Sequence, residues 1–140
     1  MVYFEWNSQI ELGHSLLDEQ HKRLFSLGEA IAETLADSAD HQPVVSALLA
    51  LIDFVRHHFA TEEGLMRASN YPGVDAHARL HTFLLAELDE YCRKVQRDRV
   101  ANLTVTGLVA FLLNWLVVHI DSTDRELVDW LRSRELHGSG

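Results

Sequence analysis

Residues 58–81 read HFATEEGLMRASNYPGVDAHARLH, and the reading of this stretch decides the fold. His58 and Glu62 stand four residues apart, as do His77 and His81, so each pair occupies one face of a helix. Between the pairs, Asn70-Tyr71-Pro72-Gly73 is a strong turn signal. The stretch is therefore the end of one helix, a reversal, and the start of an antiparallel neighbour. Four side chains of metal-binding type then meet at one level beside the turn.

Working outward, the periodicity stays helical rather than alternating. The helix ending at this turn carries Val44, Leu48, Leu51, Val55, His58, Glu62 and Leu65 on its inner face. Pro43 falls in its first turn, where a missing N–H costs little. The helix leaving the turn carries Val74, His77, His81, Leu84, Leu88, Tyr91 and Val95. Upstream, Leu17, His21, Leu24, Gly28, Ile31 and Leu35 define a first helix, with Ser15 and Asp18 as a capping pair. Downstream, Val105, Leu108, Leu112, Trp115, His119, Ser122 and Glu126 define a fourth, with Trp130 beyond. Breaks fall in Asp37–Gln42, Asn70–Gly73 and Gln96–Asn102. The expected architecture is all-α, an antiparallel up-down-up-down four-helix bundle. Residues 1–14 form an N-terminal arm docked by Trp6, residues 15–134 the bundle, and residues 135–140 a flexible tail.

The chain has 140 residues with 47% apolar and 24% charged, which suits one globular domain. Its formal charge of −9, from 12 basic and 21 acidic side chains, argues against a nucleic-acid partner. Cys92 is the lone cysteine, so neither a disulfide framework nor a cysteine-built zinc site is expected. Met1–Trp6 has no signal-peptide pattern, and the longest apolar run, Leu108–Ile120, contains Asn114 and His119 and is too short for a bilayer. A cytoplasmic location without membrane insertion is the expectation. The nine histidines exceed what this length ordinarily carries.

His21, His58, Glu62, His77, His81 and His119 interrupt apolar stripes on four different helices. Buried without partners, each would cost several kcal/mol, so a shared partner is implied. With turns near Asp40 and Arg99, His21, His58, His81 and His119 lie about 27–30 Å from those turns at 1.5 Å per residue, and Glu62 and His77 join them beside the Asn70–Gly73 turn, so all six fall in one layer. His119 is followed by Asp124 at i+5, about 140° round an ideal helix. Either a local widening of the helix or an aspartate reaching toward a second ion reconciles that spacing. Five imidazoles and two carboxylates are too many for one tetrahedral ion, whereas two ions bridged by carboxylates use all seven. Nitrogen and oxygen donors without thiolate suit iron, manganese or zinc.

Asp18-Glu19-Gln20-His21, His58-Phe59-Ala60-Thr61-Glu62-Glu63, His77-x-x-x-His81 and Trp115-Leu-Val-Val-His119-Ile-Asp-Ser-Thr-Asp124 resemble the four signatures of hemerythrin-like proteins, in order, from about Trp6 to Trp130. The resemblance implies a cofactor of two iron ions, a non-haem centre with an oxo or hydroxo bridge that binds dioxygen reversibly. It implies that His77, His81 and His119 hold one iron, and that His21 and His58 hold the other, which keeps an open position. Glu62 and Asp124 bridge the pair, and Leu24, Phe59, Trp115, Leu116 and Ile120 form the oxygen pocket. All seven ligand positions match; His14 departs, standing where an aliphatic residue is expected.

His14, His41, His57 and His137 are read as solvated or capping, and Glu63 as an exposed or supporting carboxylate. Glu11-x-x-His14 is a weak echo of di-iron oxygenase motifs, since a second copy and the further glutamates are absent. Cys92 is read as a small buried hydrophobe. The functional expectations are an oxygen carrier or store, or an oxygen- or redox-sensing input domain. In the sensing case the chain continues into a covalently attached output such as a diguanylate cyclase or chemotaxis receptor, as the His137-Gly-Ser-Gly ending suggests. A peroxidase or oxygenase is the alternative; with no acid–base residue beside the open position, a non-enzyme is expected.

Overall fold

The computed structural model describes residues 6–37, 41–98 and 102–138. Helices α1 (Ser15–Asp37), α2 (His41–Ala68), α3 (Val74–Asp98) and α4 (Asn102–His119) follow in order. A π-helical segment, Ile120–Asp124, continues α4 directly into α5 (Arg125–Gly138). Backbone angles at both junctions stay right-handed helical, so these three pieces form one rod, the fourth helix of the bundle. Contacts join α1 to α2, α2 to α3, α3 to α4 and α4 back to α1. That closed ring, without a strand among the described residues, is the expected four-helix bundle.

The turn after α2 forms for a backbone reason. Asn70 takes a left-handed conformation at φ 57°, which asparagine tolerates better than most residues. The Tyr71 N–H then reaches the Met66 carbonyl at 2.9 Å and the Asn70 N–H the Arg67 carbonyl at 3.2 Å, closing the helix end. The fourth helix fastens this turn, since Trp130 Nε1–H donates to the Ser69 carbonyl.

The start of α1 differs from the expected capping pair. His14, not Ser15, is the cap: its Nδ1 accepts the Leu17 N–H at 3.3 Å. Asp18 instead reaches back to the N–H groups of Leu12 and Gly13 at 2.8 and 3.0 Å. Gly13 makes this possible with φ +84°, turning the arm so that both N–H groups face the carboxylate. The unexpected His14 is thereby explained as a capping residue. Trp6 packs edge-on against Phe25, ring centroids 5.4 Å apart, docking the arm as expected. Residues 1–5 of the arm lie outside the described residues, as do the turn positions Asp40 and Arg99 and the last two residues. Helix α5 runs to Gly138, past the boundary at which the tail was expected to begin.

Leu17, Leu24, Ile31, Leu48, Leu51, Val55, Leu84, Leu88 and Leu112 are buried as the stripes required. By composition and length α2 would also qualify to cross a membrane, but here Leu48, Leu51, Ile52, Val55 and Phe59 of this helix lie in the core. Two seam positions shift by one residue: Met66 is buried where Leu65 was expected, and Cys92 where Tyr91 was. Each replaces a step of three with a step of four, since 3.6 residues per turn makes a straight stripe drift. The larger departure is in the fourth helix. Ser122 and Glu126 are exposed, whereas Asp124, Leu127 and Val128 are buried. The π segment inserts one extra residue and turns everything after it by about 100°. Side chains of Leu35, Val105 and Leu108 lie outside the described residues.

Candidate metal centre

The seven predicted residues converge in the core in two overlapping groups. Glu62, His77, His81, His119 and Asp124 form one; His21, His58, Glu62 and Asp124 form the other. Within each group one donor atom per residue lies within 4.8 Å of the others. All seven side chains are buried. Each pair arrives by local geometry: one turn of α2 separates His58 from Glu62, and one turn of α3 separates His77 from His81. His119 closes α4, and the π segment carries Asp124 round to the same side, so the widened helix resolves the i+5 spacing.

Asp124 is the hub. Its Oδ1 lies 3.1 Å from His77 Nε2 and 3.0 Å from His119 Nε2, and its Oδ2 lies 3.0 Å from His21 Nε2. Glu62 Oε1 lies 3.2 Å from His58 Nε2 and 3.3 Å from His81 Nε2. Despite these distances, both oxygens of each carboxylate and the Nε2 atoms of all five imidazoles lack an aligned hydrogen-bond partner. Orphaned buried polar atoms on this scale would cost a domain much of its stability. Atoms that approach closely without bonding each other are what a shared metal ion would satisfy. The donor set, imidazole nitrogen and carboxylate oxygen without thiolate, fits first-row divalent ions.

Without ions, the same side chains perturb one another. Burial alone would raise Asp124, but His119, with His21 and His77 alongside, holds it well below the usual carboxylate range. Burial and the neighbouring Asp124 both push Glu62 up, yet His58 and His81 outweigh them and leave it lowered. Burial depresses His119, but the carboxylates of Asp124 and Glu62 prevail and raise its proton affinity.

Around the donors, two supporting contacts appear. His58 Nδ1 meets Gln20 Oε1 at 2.7 Å, and the Gln20 amide donates to Thr61 Oγ1 at 3.3 Å. His81 Nδ1 meets Glu63 Oε2 at 3.0 Å, which makes Glu63 a supporting carboxylate. Gln20 was missed in the sequence because a polar residue beside His21 on the helix gave no reason to face α2. Leu24, Phe59, Trp115, Leu116 and Ile120 are all buried in the one apolar core. Phe59 stacks on His81 with centroids 3.7 Å apart and planes 5° from parallel, and meets Trp115 edge-on at 5.9 Å. Of the remaining histidines, His14 is a cap and His57 is exposed, while the side chains of His41 and His137 lie outside the described residues.

Residues 12–131 match the family described as Hemerythrin HHE cation binding domain. The bacteriohemerythrin of Ralstonia nicotianae is 33% identical over 136 residues, covering 96% of this chain and 93% of its own. That of Pseudomonas paraeruginosa is 26% identical over 132 residues, covering 94% and 84%. A hemerythrin-like protein of Naegleria gruberi is 32% identical over 122 residues, covering 86% and 87%. With its four-helix frame and two carboxylate-linked donor groups, the chain belongs to the hemerythrin family.

Proposed function

We propose that this protein binds dioxygen reversibly at a centre of two iron ions, as a carrier or store or as an oxygen-sensing input domain of the cytoplasm, and not as an enzyme. The carrying observation is the inequality of the two donor groups, five protein donors against four, around shared Glu62 and Asp124. With one protein donor fewer, the four-donor position would leave a coordination place for a small exogenous ligand. When bound, the irons supply the electrons for reversible dioxygen binding. His77, His81 and His119 saturate one position, while Glu62 and Asp124 keep the second ion adjacent. Leu24, Phe59, Trp115, Leu116 and Ile120 exclude water and offer no side chain that titrates near neutrality, which disfavours turnover chemistry. Iron loading under nitrogen should give two ions per chain, and air should raise a visible charge-transfer band that argon removes. Uptake of one ion or none, or a band that argon leaves in place, overturns the carrier reading.

One observation favours the sensing variant. Asp124 ends the π segment and α5 follows at once, with Arg125 bonded to Asp121 at 3.1 Å and to the Gln9 carbonyl of the arm at 3.2 Å. A displacement at Asp124 therefore reaches both α5 and the arm, where an attached output domain would feel it. Crystals of the reduced and air-exposed iron forms should differ in residues 125–134; superimposable α5 helices would remove this variant.

A further inference from the structure

The five imidazoles of the centre are not supported alike. Nδ1 of His21, His77 and His119 is buried without a hydrogen-bond partner. His58 Nδ1 faces a neutral amide oxygen, Gln20 Oε1 at 2.7 Å, and His81 Nδ1 faces a carboxylate oxygen, Glu63 Oε2 at 3.0 Å. Glu63 is thus the one anionic partner of an imidazole Nδ1 among the described residues. It is held from its other side, since Arg67 Nη2 lies 3.6 Å from Oε1. The His81 ring is clamped further by the nearly parallel face of Phe59. A ring fixed by stacking and by an Nδ1–H donated to a carboxylate can present only Nε2 to an ion. Such a carboxylate also makes the imidazole a stronger donor, because the shared proton leaves more negative charge on the ring.

From this contrast, we propose that Glu63 is a positioning residue of the centre: it takes the His81 Nδ1–H, fixes Nε2 as donor, and makes the five-donor position the more electron-rich of the two. Gln20 performs the same orienting task for His58 in the four-donor position without lending charge. The sequence alone leaves Glu63 as either an exposed or a supporting carboxylate; in the fold it lies only 22% exposed, against His81 of α3. This inference rests on the metal reading of the centre but not on dioxygen, so it is tested with ions that bind no oxygen.

Cobalt(II) titration of the full chain against a chromophoric chelator reads affinity, and the cobalt ligand-field spectrum reads donor strength. Glu63→Ala should weaken the tighter site about 10–100-fold, the range for losing such a partner. Glu63→Gln keeps an acceptor oxygen without the charge, so it should restore most of the affinity yet keep a shifted spectrum. In the zinc-loaded protein, the His81 Nδ1–H proton resonance should lie far downfield and move upfield in Glu63→Gln. A merely structural role would move melting temperature and leave this resonance and the Glu63→Gln spectrum unchanged. Wild-type affinity and spectra in both variants overturn the inference alone; absence of cobalt uptake by the unaltered chain overturns it together with the metal reading.

Discussion

Helices α2 and α3 deliver their donors by ordinary helical geometry, whereas the fourth helix delivers His119 and Asp124 only by abandoning it. In α2 and α3 the paired residues are four apart, and a regular turn sets both on the inner face. In the fourth helix the spacing is five, and Ile120–Asp124 widens into a π segment that restores the shared face. The widened turn has its own support on the solvent side, where Ser122 Oγ donates to the Val118 carbonyl at 2.6 Å and Arg125 bonds Asp121. The regular helices thus supply paired donors, and the irregular one supplies the residue that joins the two groups. A π segment at a functional position is the usual place for this device.

The largest effect expected follows from that division. Asp124→Ala removes the hub facing His21, His77 and His119, so both ion positions should fail, with affinity lower by roughly 100-fold or more. His58→Ala should empty only the four-donor position. Metal analysis after gel filtration separates the outcomes, and two retained ions in Asp124→Ala would break the comparison. Next in size is the effect of chelation. Without ions the carboxylate oxygens and imidazole Nε2 atoms of the centre are left unsatisfied in the core, so removing metal should lower the melting temperature by about 10 °C, given roughly 4 kcal/mol of linkage at a thousandfold excess over Kd and 2–4 °C per kcal/mol. A melting curve unaffected by chelator would mean that the ions contribute nothing to the core.

A deletion sharpens the comparison directly. Removing exposed Ser122 takes out the extra residue and should convert the fourth helix to a continuous α-helix. His119 and the following aspartate then stand four apart, like the pairs of α2 and α3, and later residues keep their register. Two ions should still bind, with affinity within about tenfold of the unaltered chain, tenfold being about 1.4 kcal/mol. Loss of helix α5 on circular dichroism would show instead that the π segment is needed for packing. The smallest effect belongs to the regular start of the bundle: His14→Ala should cost about 1 kcal/mol as a lost cap and leave metal stoichiometry unchanged. A change in stoichiometry would reveal that the arm reaches the centre.

The legible part of the molecule is the part governed by local repetition. Stripes at helical spacing marked Leu17, Leu48, Val55 and Leu88 as core, and polar interruptions marked His21, His58, Glu62, His77, His81 and His119 as a set. Depth along antiparallel helices needs only residue counts, so their common level was readable too. Asp124 was nameable, but its i+5 placement left two geometries open. Cys92 was readable as a small buried hydrophobe, but the exchange of Met66 for Leu65 was out of reach, because the drift of a stripe is settled by what the neighbouring helix presents.

By itself, then, the sequence determined four helices, their antiparallel order and which seven residues meet, since burial of one helical face and rise per residue are properties of each segment alone. Tertiary structure decided how they meet. It chose the widened turn at Ile120–Asp124, made His14 the cap through the turn at Gly13, and set Gln20 against His58 and Glu63 against His81. Those pairings join atoms on different helices or on either side of a turn. Only the packing distance and rotation between helices fix whether an oxygen lies about 3 Å from a ring nitrogen or faces water.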